Sequence, residues 1–245
     1  MKPTIHFVGE PPLATKIKDP PKPAPRPAPG PAPRGRMIAI MRVRGRTWAV
    51  DGTAGTAVPP TVINLIYRHD AGEPHAPVVL PPAGSLPVLQ SLSFDSLPIR
   101  SIAEIANIDA YRSRLHSISF LRCTSLVLDD LSWFVPMAAV QDARSARERA
   151  EHSINIQIVS CRLWSLRGME QFQRVFSLQV PGNGIDLEKE IGYIEACSKN
   201  HAASSRSSMS VGMNRISGRT VQRKGMMRIS DAAAYIRDQT ARASR

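Results

Sequence analysis

Aromatic side chains are scarce in this 245-residue sequence, at 5%. A core must therefore be built mainly from aliphatic residues, and the 42% hydrophobic content is too high for a wholly disordered chain. Long apolar runs are missing as well. No stretch approaches the roughly 18 consecutive apolar residues of a membrane-spanning helix. The opening MKPTIHFVGEPPLA holds no continuous apolar segment, so no secretory signal is expected. Cysteine occurs three times, at Cys123, Cys161 and Cys197, too widely spaced for a zinc module and odd in number for a disulfide framework. A reducing compartment suits such a set. Acidic residues are the minority, 20 against 32 Lys and Arg, which leaves a formal charge of +12. The expectation is a basic intracellular protein.

Catalytic patterns are also wanting. The six histidines are scattered, and none stands in H-x-x-x-H or H-E-x-x-H. His69 and His75 lie near Asp70 and Glu73, but in a Pro/Gly-containing loop that reads as a surface turn. GTAGTA (52–57) lacks the Gly-Lys-Ser/Thr ending of a phosphate-binding loop, and PGNG (181–184) reads as a turn. Asp129 and Asp130 are adjacent carboxylates without the further ligands that a nucleotidyl-transfer metal site needs, so they read as the end of a strand. Cys123 and Cys161 sit in apolar runs and behave as small hydrophobes. No serine stands in G-x-S-x-G. The sequence thus assigns no catalytic residue, no metal ligand and no cofactor, and the expectation is a protein that is not an enzyme.

What the chain does have is charge at its two ends. Residues 1–46 carry 10 basic and 2 acidic side chains, and residues 198–245 again 10 and 2, whereas residues 47–197 carry 12 and 16. Proline is equally uneven, with 11 of 21 in the first 33 residues. The run PPKPAPRPAPGPAP (20–33) lacks most amide donors and has its φ angles preset, so it predicts an extended polyproline arm, either a spacer or a ligand for an aromatic groove. Arginines 34, 36, 42, 44 and 46 cluster around MIAIM, and Arg215, Arg219, Arg223, Lys224 and Arg228 form a late cluster. Guanidinium forks match phosphate oxygens, so Arg34, Arg36, Arg42, Arg44, Arg46, Arg215, Arg219, Arg223, Lys224 and Arg228 are the expected polyanion-binding residues. The late cluster also fits a nuclear-import signal.

Between the ends the pattern is that of a folded body. TVINLIY (61–67), VLQSLSF (88–94), ISFLRCTSLVL (118–128) and VFSLQV (175–180) read as strands. In INIQIVSCRLW (154–164), Ile154, Ile156 and Ile158 alternate at period two, as on a strand with one buried face. Ser101 with Glu104 predicts a capped helix to Leu115, residues 138–152 an exposed helix, and Asp186 the cap of a helix with Leu187, Ile191 and Ile194 inward. Residues 198–218 lack periodicity and read as a flexible linker before a short helix opened by Ser230 and Asp231. The expected fold class is α+β, an antiparallel sheet with a few packed helices. Its parts are a disordered arm over 1–36, a body over 37–197 and a basic tail over 198–245.

This layout, with FDSLPIRSIAEIANIDAYRSRLHSISF (94–120) as strand, capped helix and strand near the start of the body, resembles the matrix proteins of plant-infecting, nucleus-replicating rhabdoviruses. The resemblance implies a virion structural protein that self-associates, condenses ribonucleoprotein RNA and bridges it to an anionic membrane surface as a peripheral protein. Further implied partners are the viral glycoprotein tail and nucleoprotein, with residence in the virion, the host nucleus and cytoplasm, and at membranes. No PPxY or PTAP-type budding motif occurs among the prolines. Two other readings accompany it: an RNA-packaging capsid protein, and a nucleic-acid-binding viral regulator or movement protein.

Overall fold

The computed structural model describes residues 36–43, 46–53, 57–69, 77–139, 153–201 and 206–244. Nearly all of the 1–36 arm and residues 140–152 of the helix expected over 138–152 lie outside the described residues. Strands β1 (Arg36–Val43), β2 (Arg46–Thr53), β3 (Val62–Arg68), β4 (Ser91–Asp95), β5 (Ser117–Leu121), β6 (Val127–Leu128) and β7 (Ile154–Val159) are followed by β8 (Arg162–Leu163), β9 (Phe176–Gln179), β10 (Ser208–Ser210), β11 (Arg215–Ile216), β12 (Arg219–Thr220) and β13 (Met227–Arg228). The helices are α1 (Val135–Ala138), α2 (Leu187–Asn200) and α3 (Ile229–Ala243). The fold is mixed α/β around one large sheet, ordered β13-β10-β9-β7-β5-β4-β3-β1-β2.

The expected antiparallel sheet is found only at the two ends of this order. Pairings β3–β4, β4–β5, β5–β7, β7–β9 and β9–β10 are all parallel, while β2–β1, β1–β3 and β10–β13 are antiparallel. Each central strand lies beside the one that precedes it in the large sheet, so the chain winds as a coil. Leu65, Leu92, Ile118, Ile156, Leu178 and Met209 stand opposite one another in a single buried column. Successive turns therefore take 27, 26, 38, 22 and 31 residues, by the differences of those numbers. A parallel pair needs a crossover, and here the return path is made of short 3-10 turns as well as helices. Those turns include Ile102–Glu104, Ile108–Tyr111, Ser132–Phe134 and Met169–Gln171.

The strands expected at 61–67, 88–94, 118–128, 154–164 and 175–180 are present as β3, β4, β5 with β6, β7 with β8, and β9. Ile154, Ile156 and Ile158 are buried, as period two requires. The few aromatic rings are concentrated in the core. Tyr67, Phe94 and Phe120 stack across neighbouring strands, with centroids 5.9 and 5.1 Å apart and planes 14° and 19° from parallel. The helix expected from Ser101 to Leu115 is instead two 3-10 turns. Asn107, at φ 66°, interrupts the helical path, and Ser101 makes no side-chain cap. Glu104 does reach back, accepting the Arg100 amide at 3.1 Å, and Ile102, Ile105, Ile108 and Leu115 are buried. The helix expected after Asp186 forms as α2, with Leu187 and Ile194 buried and Ile191 partly so.

From β4 onward, the strands of the stack leave the sheet through a left-handed corner. Ser96, Arg122, Ser160, Gly182 and Met213 have φ between 53° and 72°. Four of their amides continue the ladder: Ser96 to Leu121 O, Arg122 to Val159 O, Ser160 to Pro181 O and Gly182 to Gly212 O, at 2.8 to 3.0 Å. The next residue in each turn is Leu97, Cys123, Cys161, Asn183 or Asn214, and all five are buried. Cys123 Sγ and Cys161 Sγ contact Phe94 O and Phe120 O, both at 3.5 Å. Asn183 Nδ2 donates to Ile158 O at 2.6 Å and Val180 O at 2.8 Å, while its Oδ1 accepts the Cys161 amide at 3.2 Å. Asn214 repeats the device, donating to Val180 O and Val211 O and accepting the Asn183 and Ile185 amides. Carbonyls and amides freed where the chain bends away are thus satisfied by the adjacent turn.

Residues 206–244, expected as linker and tail, belong to the folded unit. β10 forms the last parallel pairing, β11 and β12 form a hairpin, and β13 leads into α3. The missed signal is the run Met209-x-Val211-x-x-Asn214, which repeats the strand-and-corner pattern of earlier turns. The helix expected from Ser230 and Asp231 is present as α3, which packs on α2 and ion-pairs Arg237 with Glu195. Replacing Asn183 by Ala removes the side-chain partner of the Ile158 carbonyl and of the buried Cys161 amide, while Val180 O keeps its bond from Asn214. A loss of about 2–4 kcal/mol is expected in urea unfolding, whereas Ser177→Ala on the outer side of β9 should stay within ~0.5 kcal/mol.

Candidate partner-binding face

One side of the large sheet packs on the core, and the other is lined by short polar groups. In register across it stand Ile40, Asn64, Ser91, Ser117, Asn155, Ser177, Ser208 and Arg228. One step along the strands stand Ile38, Ile66, Ser93, Ser119, Gln157, Gln179 and Ser210. Most of these are half-buried, although Ser119 and Ser210 sink to 8% and 9% exposure between their neighbours. The alternation forces this division: inward positions carry Leu, Ile, Phe and Met, and a strand's outward positions lie between them. Equivalent side chains sit about 4.8 Å apart in the ladder, a spacing at which a column of like charges would repel. Serine and carboxamide columns avoid that repulsion and leave donors and acceptors along the face. Asn155 Nδ2 donates weakly to Ser117 Oγ at 3.4 Å, and Asn155 Oδ1 is buried without a partner.

A third row, at the strand ends, is charged. It runs Arg36, Arg68, Asp95, Leu121 and Val159. Asp95 is 2% exposed and is gripped from both sides. Arg122 holds both carboxylate oxygens at 2.7 Å, Arg68 Nε donates at 3.0 Å, and Ser96 Oγ donates at 3.0 Å. Burial by itself raises the Asp95 pKa, but the hydrogen bonds from Arg122 and Ser96 and the two positive charges outweigh it. They hold it below the usual carboxylate range. The side chains of Arg122 and Arg68 remain 64% and 41% exposed, so this corner of the face is a net cation fixed in place by a buried anion.

The expected polyanion-binding residues fall at opposite ends of the sheet. Arg36, Arg42 and Arg46 lie in the hairpin at one edge, while Arg34 and Arg44 lie outside the described residues. Arg215, Arg219, Arg223, Lys224 and Arg228 are exposed near the other edge. Eight strand intervals of about 4.8 Å separate those edges, roughly 38 Å. The two groups therefore form separate surfaces. Arg36 shares the third row with Arg68, and Arg228 ends the first row beside Ser208.

The remaining candidate groups are structural. Asp130 accepts the Ser132 amide at 2.8 Å and ion-pairs with Arg167, as suits a turn after β6. All three cysteines are buried. Donation of the Cys161 thiol proton to Cys123 and burial push the Cys161 pKa far up, and burial pushes Cys197 up to about 12. His201 is buried between Phe172 O at 3.0 Å and Ser207 Oγ at 3.2 Å, and desolvation lowers its pKa despite the hydrogen bond to Phe172. Among the described residues, no group of three or more His, Cys, Asp or Glu could hold a metal ion, and no helix is long and apolar enough to cross a membrane.

The face and its corners were absent from the sequence reading, but a signal for them existed. Leu89-x-x-Leu92-x-Phe94-x-x-Leu97 recurs as Leu115-x-x-Ile118-x-Phe120-x-x-Cys123, and in shorter form at Ile156–Cys161, Leu178–Asn183 and Met209–Asn214. Compared with protein-family models, curated proteins and solved structures, the chain gives no significant match. Asp95→Asn removes the carboxylate shared by two arginines, with an expected loss of about 1–2 kcal/mol because both guanidiniums also reach water. A carboxylate with a depressed folded pKa stabilises above its unfolded value, near 3.9, and loses that effect as pH falls through the folded value. Thermal melts of wild type and Asp95→Asn should therefore differ at pH 6 and begin to converge only as pH falls below about 4 toward the depressed folded value.

Proposed function

We propose that this chain is a repeat solenoid of the leucine-rich kind, and that its function is to hold a polypeptide segment of a partner against the outer face of the sheet. The observation that carries this reading is the pair of polar rows, one crossing six parallel strands from Asn64 to Ser208 and the other five from Ser93 to Ser210. The repeated turn, with apolar residues at fixed offsets and Cys or Asn at the corner, matches the leucine-rich pattern. Solenoids of stacked turns use such extended surfaces for binding. Serine and carboxamide groups supply adaptable hydrogen bonds, which favours a polar polypeptide over an apolar ligand.

Size narrows the partner. Nine strands at about 4.8 Å by three outward rows give a face of roughly 40 by 15 Å. That is below the ~800 Å² each partner contributes to an interface of standard size. A segment laid across the strands fits better than a broad globular surface, with the Arg68–Asp95–Arg122 corner as a charged end-stop. Ser93→Arg with Gln157→Arg places two long cations in the middle of the face, two strands apart and at half-buried positions, without touching the core. Peptides selected from a display library on the wild type should fail to bind this variant while its melting temperature stays within a few degrees. Equal binding by both proteins, or no selectable peptide at all, would overturn the reading.

The matrix-type assembly role is a second proposal, favoured by the exposed cations Arg215, Arg219, Lys224 and Arg228. In it, the chain acts as a non-enzymatic virion protein, with ribonucleoprotein RNA and an anionic membrane as partners. Each cation near an anionic surface contributes about 1 kcal/mol. Co-sedimentation with phosphatidylserine vesicles should be strong at low salt and fall sharply when Arg34, Arg36, Arg42, Arg44 and Arg46 are neutralised. Unchanged sedimentation by that variant removes the N-terminal cluster from the role.

A further inference from the structure

The hairpin of β11 and β12 and the last two turns of α3 enclose a cleft of about 270 Å³. Its polar lining is Arg219, Thr220, Gln222, Arg223, Gln239 and Arg242, with Tyr235 as one wall, and among the described residues no carboxylate lines it. Three arginines thus line a space too small for a protein segment and large enough for a compact anion, with Arg242 also paired to Asp238.

Two features fix the arrangement. The Arg223 guanidinium lies over the Tyr235 ring, 4.9 Å from its centroid, which holds the cation at the wall of the cleft. The backbone behind it is pinned as well: a Cβ on Gly212 would fall 2.3 Å from Arg223 O, so the 221–225 segment rests directly on the preceding corner. Val221 supports the same placement by exchanging hydrogen bonds with Met213 and Asn214, at 2.7 and 2.8 Å. The nearest carboxylates are already engaged, Asp238 with Arg242 and Glu188 with Ser217. The C-terminal end of α3 presents partial negative charge. An anion is therefore drawn by the arginines, against the partial negative charge of the helix terminus.

We propose that this cleft binds a compact ligand carrying adjacent phosphoryl groups. Arginine is suited to this because its planar fork donates in pairs to phosphate oxygens, and the Arg219 and Arg223 forks, with Arg242 shared with Asp238, match the charge of a diphosphate better than that of a single carboxylate. Gln222 and Gln239 add neutral donors at the rim. The shared chemistry has two sources, a soluble diphosphate or a polyphosphorylated lipid headgroup. The proposal goes beyond the sheet-face reading and is independent of it, since no residue of the cleft stands in the rows of the face.

The test uses the full chain, with inorganic pyrophosphate followed by titration calorimetry and vesicles containing phosphatidylinositol bisphosphate followed by co-sedimentation. Arg219→Gln with Arg223→Gln should weaken binding at least ten-fold. The charge-matched control Arg162→Gln with Arg206→Gln should change it less than two-fold. Thermal melts accompany each protein, and Arg242→Gln, which leaves the hairpin intact, repeats the measurement if the double variant melts early. Arginine-dependent binding of pyrophosphate supports the soluble source. Arginine-dependent binding of the vesicles alone supports the headgroup. Equal weakening by the control pair marks general charge attraction and overturns the site, as does the absence of binding to either probe.

Discussion

The backbone hydrogen bond between one turn of chain and the next is the constraint on which this protein rests. A parallel strand cannot close its ladder with its own hairpin, so every amide and carbonyl of β4, β5, β7 and β9 depends on a neighbour 22 to 38 residues away. Where the ladder ends, the corner residue and the Cys or Asn after it take over. Asn183 and Asn214 each satisfy groups on two turns at once, which locks the spacing of the stack. Cysteine does the same more weakly at Cys123 and Cys161, where the thiols sit against carbonyls at 3.5 Å. Stability in such a stack is a sum of neighbour terms, so the ends need covering. The β1–β2 hairpin and the β13–α3 unit supply those covers by switching to antiparallel pairing.

That same constraint produces the binding surface. Parallel register brings outward positions of successive turns into straight rows, and each row becomes a stripe of one chemistry. Ser91 and Ser117, or Gln157 and Gln179, are far apart in sequence but adjacent in the ladder. Charge is admitted only at the margin, where Asp95 neutralises part of the Arg68 and Arg122 pair and the guanidiniums still reach solvent. The face thus has a neutral, hydrogen-bonding centre and cationic borders. The cleft beside α3 has the opposite character, with three arginines and, among the described residues, no lining carboxylate, and the two surfaces are suited to different ligands.

Much of the local structure was legible. The period-two run from Ile154 to Ile158 has its expected buried side, α2 begins after Asp186, and α3 begins near Ser230. The helix expected from Ser101 failed for an identifiable reason: Asn107 takes a positive φ, and the return path of a tight turn has room for 3-10 segments only. Residues 198–218 looked aperiodic because a three-residue strand and a two-residue strand are too short to show a period. Their place in the stack is marked instead by Met209, Val211 and Asn214, at the offsets of earlier turns.

By itself, the sequence determined which segments are extended, which of their faces is apolar, and that positive charge gathers toward both ends. These follow from side-chain chemistry and local periodicity, which act within a few residues. Only the tertiary structure decided that the strands pair in parallel, that serines and carboxamides from five turns share one face, and that the two arginine groups lie toward opposite ends of the sheet. Pairing direction and register depend on contacts between residues tens of positions distant. Such contacts form only when each turn of chain finds the free hydrogen-bonding edge of the turn before it.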